Sequence, residues 1–187
     1  MIRSFLAIEL PMTILKKIGR VQEDLKSSHA DVRWVSPENI HLTLKFFGNI
    51  DESRIEPIVK SIEGSIQTTS AFTLQVKSIG SFPYVKNPRV IWVGLVDENQ
   101  VLLPFQKALE TELEKIGVEP ELRPFQAHLT LGRVKSSRGR GELITRMERY
   151  KEEEFGDFRV DRVILFRSDL KPTGPIYTAL REVKMGG

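Results

Sequence analysis

The sequence predicts an α+β fold: a duplicated unit of two similar lobes, each offering one motif strand to a shared central cleft. Three observations predict it. The tetrapeptide His41-Leu42-Thr43-Leu44 returns as His128-Leu129-Thr130-Leu131. The two histidines stand 87 positions apart and Phe72 and Phe158 stand 86 apart in a chain of 187 residues, so a whole half is repeated rather than four letters. Strand and helix patterns also recur in the order β-α-β-β-α-β-β. With only three histidines present, a shared His-led tetrapeptide arises by chance about once in a thousand sequences. The period is too long for a solenoid. Residues 1–187 are therefore expected to form a single bilobal domain with two pseudo-repeats, each carrying one His-x-Thr strand.

The elements follow in order. Ile2 to Leu10 is apolar and strand-like and stops at Pro11, which suits the first turn of a helix. From Met12 to Leu25, Ile14, Leu15, Ile18, Val21 and Leu25 recur at three- and four-residue steps, one buried stripe on a polar helix. Arg33-Trp34-Val35 reads as a short strand, Ser36 to Asn39 as a turn, and His41 to Phe47 as the first motif strand, ended by Gly48-Asn49. Asp51 or Ser53 is placed to cap a helix whose stripe is Ile55, Ile58, Val59, Ile62 and Ile66. Phe72 to Ile79 and Arg89 to Val96 follow as strands. Val101 to Ile116 is a helix stopped by Gly117. An extended piece around Pro124 leads into the strand from His128 to Val134, and a helix is expected between Gly141 and Lys151. Phe158 to Phe166 and Ile176 to Val183 close the chain as two strands.

Composition narrows the classes. Hydrophobic content of 40% and charged content of 28% are those of a folded, water-exposed domain. The longest apolar run, Val90 to Val96, is far short of a membrane span, and Met1 to Phe5 opens into strand-like sequence rather than a signal peptide, so no membrane contact and a cytoplasmic location are expected. With no cysteine there is no disulfide, thiolate ligand or thiol nucleophile. The net charge is only +3, yet Arg133, Lys135, Arg138 and Arg140 follow the second motif without an intervening carboxylate, which suits an anionic substrate or a solvated loop.

The motifs carry the chemistry. Successive strand side chains face opposite ways, so His41 and Thr43 share one face and Leu42 and Leu44 the other; His128 and Thr130 are set out alike. A lone histidine on an apolar strand is ordinarily a satisfied core residue, but duplication in phase with threonine points to use. Imidazoles with a pKa of roughly 6.5 give and take protons at neutral pH. One can activate water while the other protonates a departing oxygen. Threonine hydroxyls two positions along would donate to the oxygens between them, a frame that fits phosphate. No third ligand of metal-site type lies in phase, so neither a metal nor another cofactor is expected. There is no Gly-x-Ser-x-Gly elbow and no Gly-Lys-Ser/Thr phosphate loop.

Other candidates are weaker. Lys45 is in phase with His41 and is expected to aim its ammonium into the cleft as a phosphate contact. Arg133 faces the other way unless Gly132 bulges the strand. Arg123, on the segment entering the second motif, is kept as a phosphate contact. Phe47, Trp92, Phe125 and Tyr84 are stacking candidates that are more often core residues. His29 reads as a surface residue at a helix end.

Together these residues resemble the 2H phosphoesterases, and within them the RNA 2′,3′-cyclic phosphodiesterases also called 2′-5′ RNA ligases. The resemblance runs nearly end to end: Arg3 to Ile8, His41 to Gly48, Pro88 to Trp92, Arg123-Pro124-Phe125 before His128 to Arg133, and Leu165 to Ser168 with Gly174 and Tyr177. Ala127 stands where family members often carry proline. The resemblance implies two antiparallel sheets facing a cleft with helices outside. It also implies metal-independent opening of an RNA-terminal 2′,3′-cyclic phosphate to a 2′-phosphomonoester, with His41 as general acid and His128 as the base activating water. Its reverse would be ATP-independent 2′-5′ joining. The expected partners are RNA ends, tRNA fragments among them, and the expected state is a monomer. Small cyclic nucleotides or 2′-5′ oligoadenylates are alternative substrates, and a non-catalytic RNA-binding role is the alternative class.

Overall fold

The computed structural model describes residues 1–186. Among these, nine strands and four helices form in the order β1 (Ile2–Glu9), α1 (Met12–Lys26), β2 (Val32–Trp34), β3 (His41–Ile50), α2 (Ile55–Ile66), β4 (Phe72–Tyr84), β5 (Asn87–Val96), α3 (Leu102–Lys115), β6 (His128–Val134), α4 (Arg140–Arg149), β7 (Glu154–Val160), β8 (Arg162–Lys171) and β9 (Gly174–Lys184). The α1 stripe is buried as expected, and Pro11 ends β1 with its carbonyl accepting from the amides of Ile14 and Leu15. Asp51 caps a 3-10 turn (Glu52–Arg54) leading into α2, accepting from the Ser53 amide, rather than α2 itself.

All pairings between named strands are antiparallel, in the order β7-β4-β5-β6-β3-β1-β8-β9, with β2 on the free end of β6. The path is two sheets curled into one half-barrel. β3 and β6 join them through the single register pair Leu42–Leu129. One face of both sheets packs on the helices in the main core, which includes Leu42, Leu44, Leu129 and Leu131. The opposite, cleft-side face carries a small separate cluster of Phe5, Ala7, Ile164 and Phe166, with Tyr177 against it.

One expected strand divides. Phe158 to Phe166 breaks at Asp161 into β7, paired with β4, and β8, paired with β1. The pattern changes there: Phe155, Phe158 and Val160 alternate with exposed or half-buried residues, whereas Val163 to Phe166 are buried in an unbroken run. Alternation belongs to a sheet covered on one face, an unbroken run to one covered on both. As a result each lobe is built from both sequence halves.

Candidate active site

β3 and β6 bring the two motifs together. Antiparallel pairing at Leu42–Leu129 sets His41 level with Thr130 and Thr43 level with His128, on the face opposite the buried leucines. All four are half-buried. Each histidine is held in the same way, His41 Nδ1 lying 2.7 Å from the Asn39 carbonyl and His128 Nδ1 2.7 Å from the Gln126 carbonyl. A carbonyl only accepts, so Nδ1 carries the hydrogen in both rings and the lone pair of each neutral imidazole is on Nε2. Asn39 is itself tied across the lobe, its side-chain amide donating to the Pro175 carbonyl at 3.1 Å. Beneath, the buried Gln22 of α1 donates to the carbonyls of Val35 and Leu131, fixing β6 from the core side.

The carbonyl clamps were missed in the sequence, although a signal was there. Pro37-Glu38-Asn39-Ile40-His41 and Pro124-Phe125-Gln126-Ala127-His128 extend the repeat upstream with proline and an amide residue at matching positions.

The surroundings of the two rings differ. Phe5 stacks on His41 with centroids 4.8 Å apart, and Tyr177 meets it edge-on at 5.4 Å. Burial lowers the His41 pKa below 6.5, partly opposed by the bond to Asn39, because a desolvated imidazolium is disfavoured. Burial also raises the Tyr177 pKa, with the Arg3 charge acting the other way. His128 meets Phe82 edge-on at 5.0 Å, and Phe82 leans on Trp92. The Trp92 indole lies across Gly80, where a Cβ would come within 2.4 Å of its ring. Trp92 is thus on the site face; Phe47 and Phe125 pack on the main core, and Tyr84 is exposed at the end of β4.

Lys45 is a correction. Opposite β1, Thr43 pairs with Ala7 but Lys45 with Leu6, so Leu44 is an extra residue in β3. A bulge of this kind reverses the parity beyond it. Lys45 is therefore turned to the helices, 3% exposed, with Nζ 2.8 Å from both Glu110 Oε2 and the Glu119 carbonyl. Phe46 takes the cleft face in its stead, 6.0 Å from Phe5. β6 has the same bulge at Leu131: Thr130 pairs with Trp92 and Gly132 with Ile91. The bulge brings Arg133 onto the His128 face. Arg123 stands exposed on the connection after α3 and lines a cavity of about 780 Å³ with Lys45, Phe46 and Arg54 on the flank of β3, away from the paired motifs.

Among the described residues, no group of three or more His, Cys, Asp or Glu side chains is arranged to hold a metal, and no helix is long and apolar enough to cross a membrane. The arrangement can take a proton at one Nε2 and deliver one at the other, with two hydroxyls between.

Comparison with known proteins agrees with this geometry. The family described as LigT like Phosphoesterase matches twice, at residues 8–92 and 93–177. The RNA 2′,3′-cyclic phosphodiesterase of Methanothermobacter thermautotrophicus is 36% identical over 184 residues, covering 98% of this chain and 99% of that protein. The one from Methanocaldococcus jannaschii is 37% identical over 180 residues, covering 96% and 99%. The crystal structure of TT0787 from Thermus thermophilus superposes with a TM-score of 0.82 at 26% identity, covering 99% of this chain and 98% of that one. With the family matched in both halves and relatives aligned nearly end to end, the chain belongs to the LigT-like, or 2H, phosphoesterases.

Proposed function

We propose that the protein is an RNA 2′,3′-cyclic phosphodiesterase that opens the terminal cyclic phosphate to a 2′-phosphomonoester by acid/base catalysis at His41 and His128. The observation that carries the reading is the matched pair of imidazoles, each fixed at Nδ1 by a backbone carbonyl and each level with the other strand's threonine. The names of the full-length relatives support the substrate.

In this mechanism Nε2 of His128 takes a proton from water as the oxygen forms its bond to phosphorus. The bond from phosphorus to the 3′ oxygen breaks, and Nε2–H of His41 protonates that oxygen. Thr43 and Thr130 donate to the non-bridging oxygens, whose charge grows as phosphorus gains a fifth bond. Burial keeps His41 largely neutral in the free protein at pH 7, and the anionic phosphate offsets that cost, so the acid gains its proton as substrate arrives. The reverse reaction, with an RNA 5′-hydroxyl in place of water, would join ends through a 2′-5′ linkage. A role in RNA binding alone would be served by lysine and arginine and has no use for two imidazoles clamped in one tautomer.

The test is incubation in EDTA of an RNA ending in a 2′,3′-cyclic phosphate, with separation of 2′- from 3′-phosphate products. The wild-type protein should yield the 2′-phosphate, and His41→Ala and His128→Ala should each lose about 10²- to 10⁴-fold in rate. A 3′-phosphate product, full activity in either variant, or no cleavage by the folded protein would overturn the reading.

A further inference from the structure

The two imidazoles are clamped alike, but the aromatic walls beside them are not supported alike. Phe82, edge-on to His128, sits in a continuous ladder: it pairs with Val90 of β5, and Val90 pairs with β6, the strand that carries His128. The sheet itself fixes that wall. Tyr177, edge-on to His41, pairs only with Ser168 of β8, and β1 pairs with β8 no further than Arg167. The end of the β8–β9 hairpin therefore runs beyond its last pair with β1, with Leu170 and Ile176 exposed.

A hairpin end with so few neighbours is held weakly, and a wall that shifts admits water and other ring orientations. One bond opposes this. The Asn39 side-chain amide donates to the Pro175 carbonyl, two residues before Tyr177, at 3.1 Å. Among the described residues no other side-chain hydrogen bond ties residues 168–177 to another element. Asn39 is also the residue whose backbone carbonyl lies 2.7 Å from Nδ1 of His41. It grips the ring through its backbone and the ring's wall through its side chain. The backbone is set by a 3-10 turn (Pro37–Asn39), in which the Asn39 amide donates to the Ser36 carbonyl at 2.8 Å. That leaves the side chain to serve the hairpin. Gln126 holds Nδ1 of His128 in the same way, but its side chain is exposed and, among the described residues, makes no hydrogen bond. The repeat thus carries an amide at both positions and uses it as a tether only where the sheet leaves the wall unsupported.

We propose that Asn39 is a positioning residue for the acid: through Pro175 it seats Tyr177 against the His41 ring, so that Nε2 is held toward the leaving 3′ oxygen. The inference rests on the phosphodiesterase reading for the role of His41 and adds the residue that orients it.

The chain has three histidines, so nitrogen-15 NMR can follow each ring. At a pH where the rings are neutral, the two nitrogens of an imidazole held in one tautomer lie far apart in shift, and they converge as tautomers mix. Wild type should show the hydrogen on Nδ1 of both His41 and His128. Asn39→Ala should draw the two His41 shifts together and leave those of His128 in place. It should also lower kcat by about two- to tenfold, the worth of one neutral hydrogen bond, with KM little changed. Because Asn39 acts through Tyr177, adding Asn39→Ala to Tyr177→Leu should cost little beyond Tyr177→Leu alone. If Asn39→Ala does not fold, Asn39→Ser takes its place, since it keeps a polar residue at the end of the turn but is too short to reach Pro175. Unchanged His41 shifts, equal movement of both histidines, or full additivity with Tyr177→Leu would overturn the proposal. If wild type turns over no cyclic phosphate, the reaction reading fails on its own, and the His41 shifts still decide whether Asn39 positions that ring.

Discussion

At the scale of single residues, the two histidines share a clamp but not an environment. Phe5 and Tyr177 strip water from His41, and burial lowers its pKa. The sign of the consequence for stability follows by linkage. Below about pH 6.5 the unfolded chain binds a proton at this histidine that the folded chain resists, so folded stability should fall as pH drops from 6.5 toward the lowered value. Denaturant titrations of wild type and His41→Asn between pH 7.5 and 5 measure this, with the wild type losing more stability on acidification. Parallel curves would show that His41 is not held neutral by its surroundings. The four motif side chains were legible in the sequence because strand parity decides their face within four residues. The rings around His41 were less so, since Phe5 and Tyr177 come from strands at opposite ends of the chain. The apolar residues on both faces of Phe5-Leu6-Ala7-Ile8 were the available hint that β1 is covered on two sides.

At the scale of elements, the paired bulges decide what each motif strand presents. Parity counted through Leu44 sends Lys45 to the cleft; the extra residue sends it to Glu110 of α3 and leaves Phe46 exposed. No sequence pattern on β3 announced this, because the bulge is defined by its register against β1. The same device carries Arg133 to the site face, as a bulge beside Gly132 would. With Lys45 in the core, Lys45→Met should strand a largely buried carboxylate and destabilise the protein by about 3 kcal/mol. Denaturant midpoints and KM together distinguish the roles. A lysine on substrate phosphate would raise KM with stability unaltered, the opposite of the expected result. Gly132→Val makes a companion test on β6. A Cβ there would stand 2.7 Å from Val32 Cγ1 and 3.0 Å from the Trp34 ring, so β2 should be forced off β6 and the denaturant midpoint should fall.

At the scale of the whole molecule, repeats in sequence are not lobes in space. The α+β class and the helix stripes were legible because each rests on local period, and the duplication because the same residues return half a chain later, but which strands pair is settled by contacts far apart in sequence. The pairings β1–β8, β2–β6, β3–β6, β4–β7 and β5–β6 all join the two halves of the chain, while β1–β3, β4–β5 and β8–β9 lie within one. Neither half alone can complete a lobe. The N-terminal half would hold β1 and β3 without β8, and the C-terminal half would leave β6 without β5, each with bare apolar edges. Cutting the chain after Glu98, in the exposed turn between β5 and α3, should give two fragments, 1–98 and 99–187, that lack cooperative unfolding when separate. Mixed at equal concentration they should regain the near-ultraviolet dichroism of the intact protein, with a midpoint that rises with concentration, since association is then part of folding. A cooperative transition in either fragment alone would mean that one repeat suffices as a folding unit and that the exchange of strands between lobes is not what holds the two histidines together.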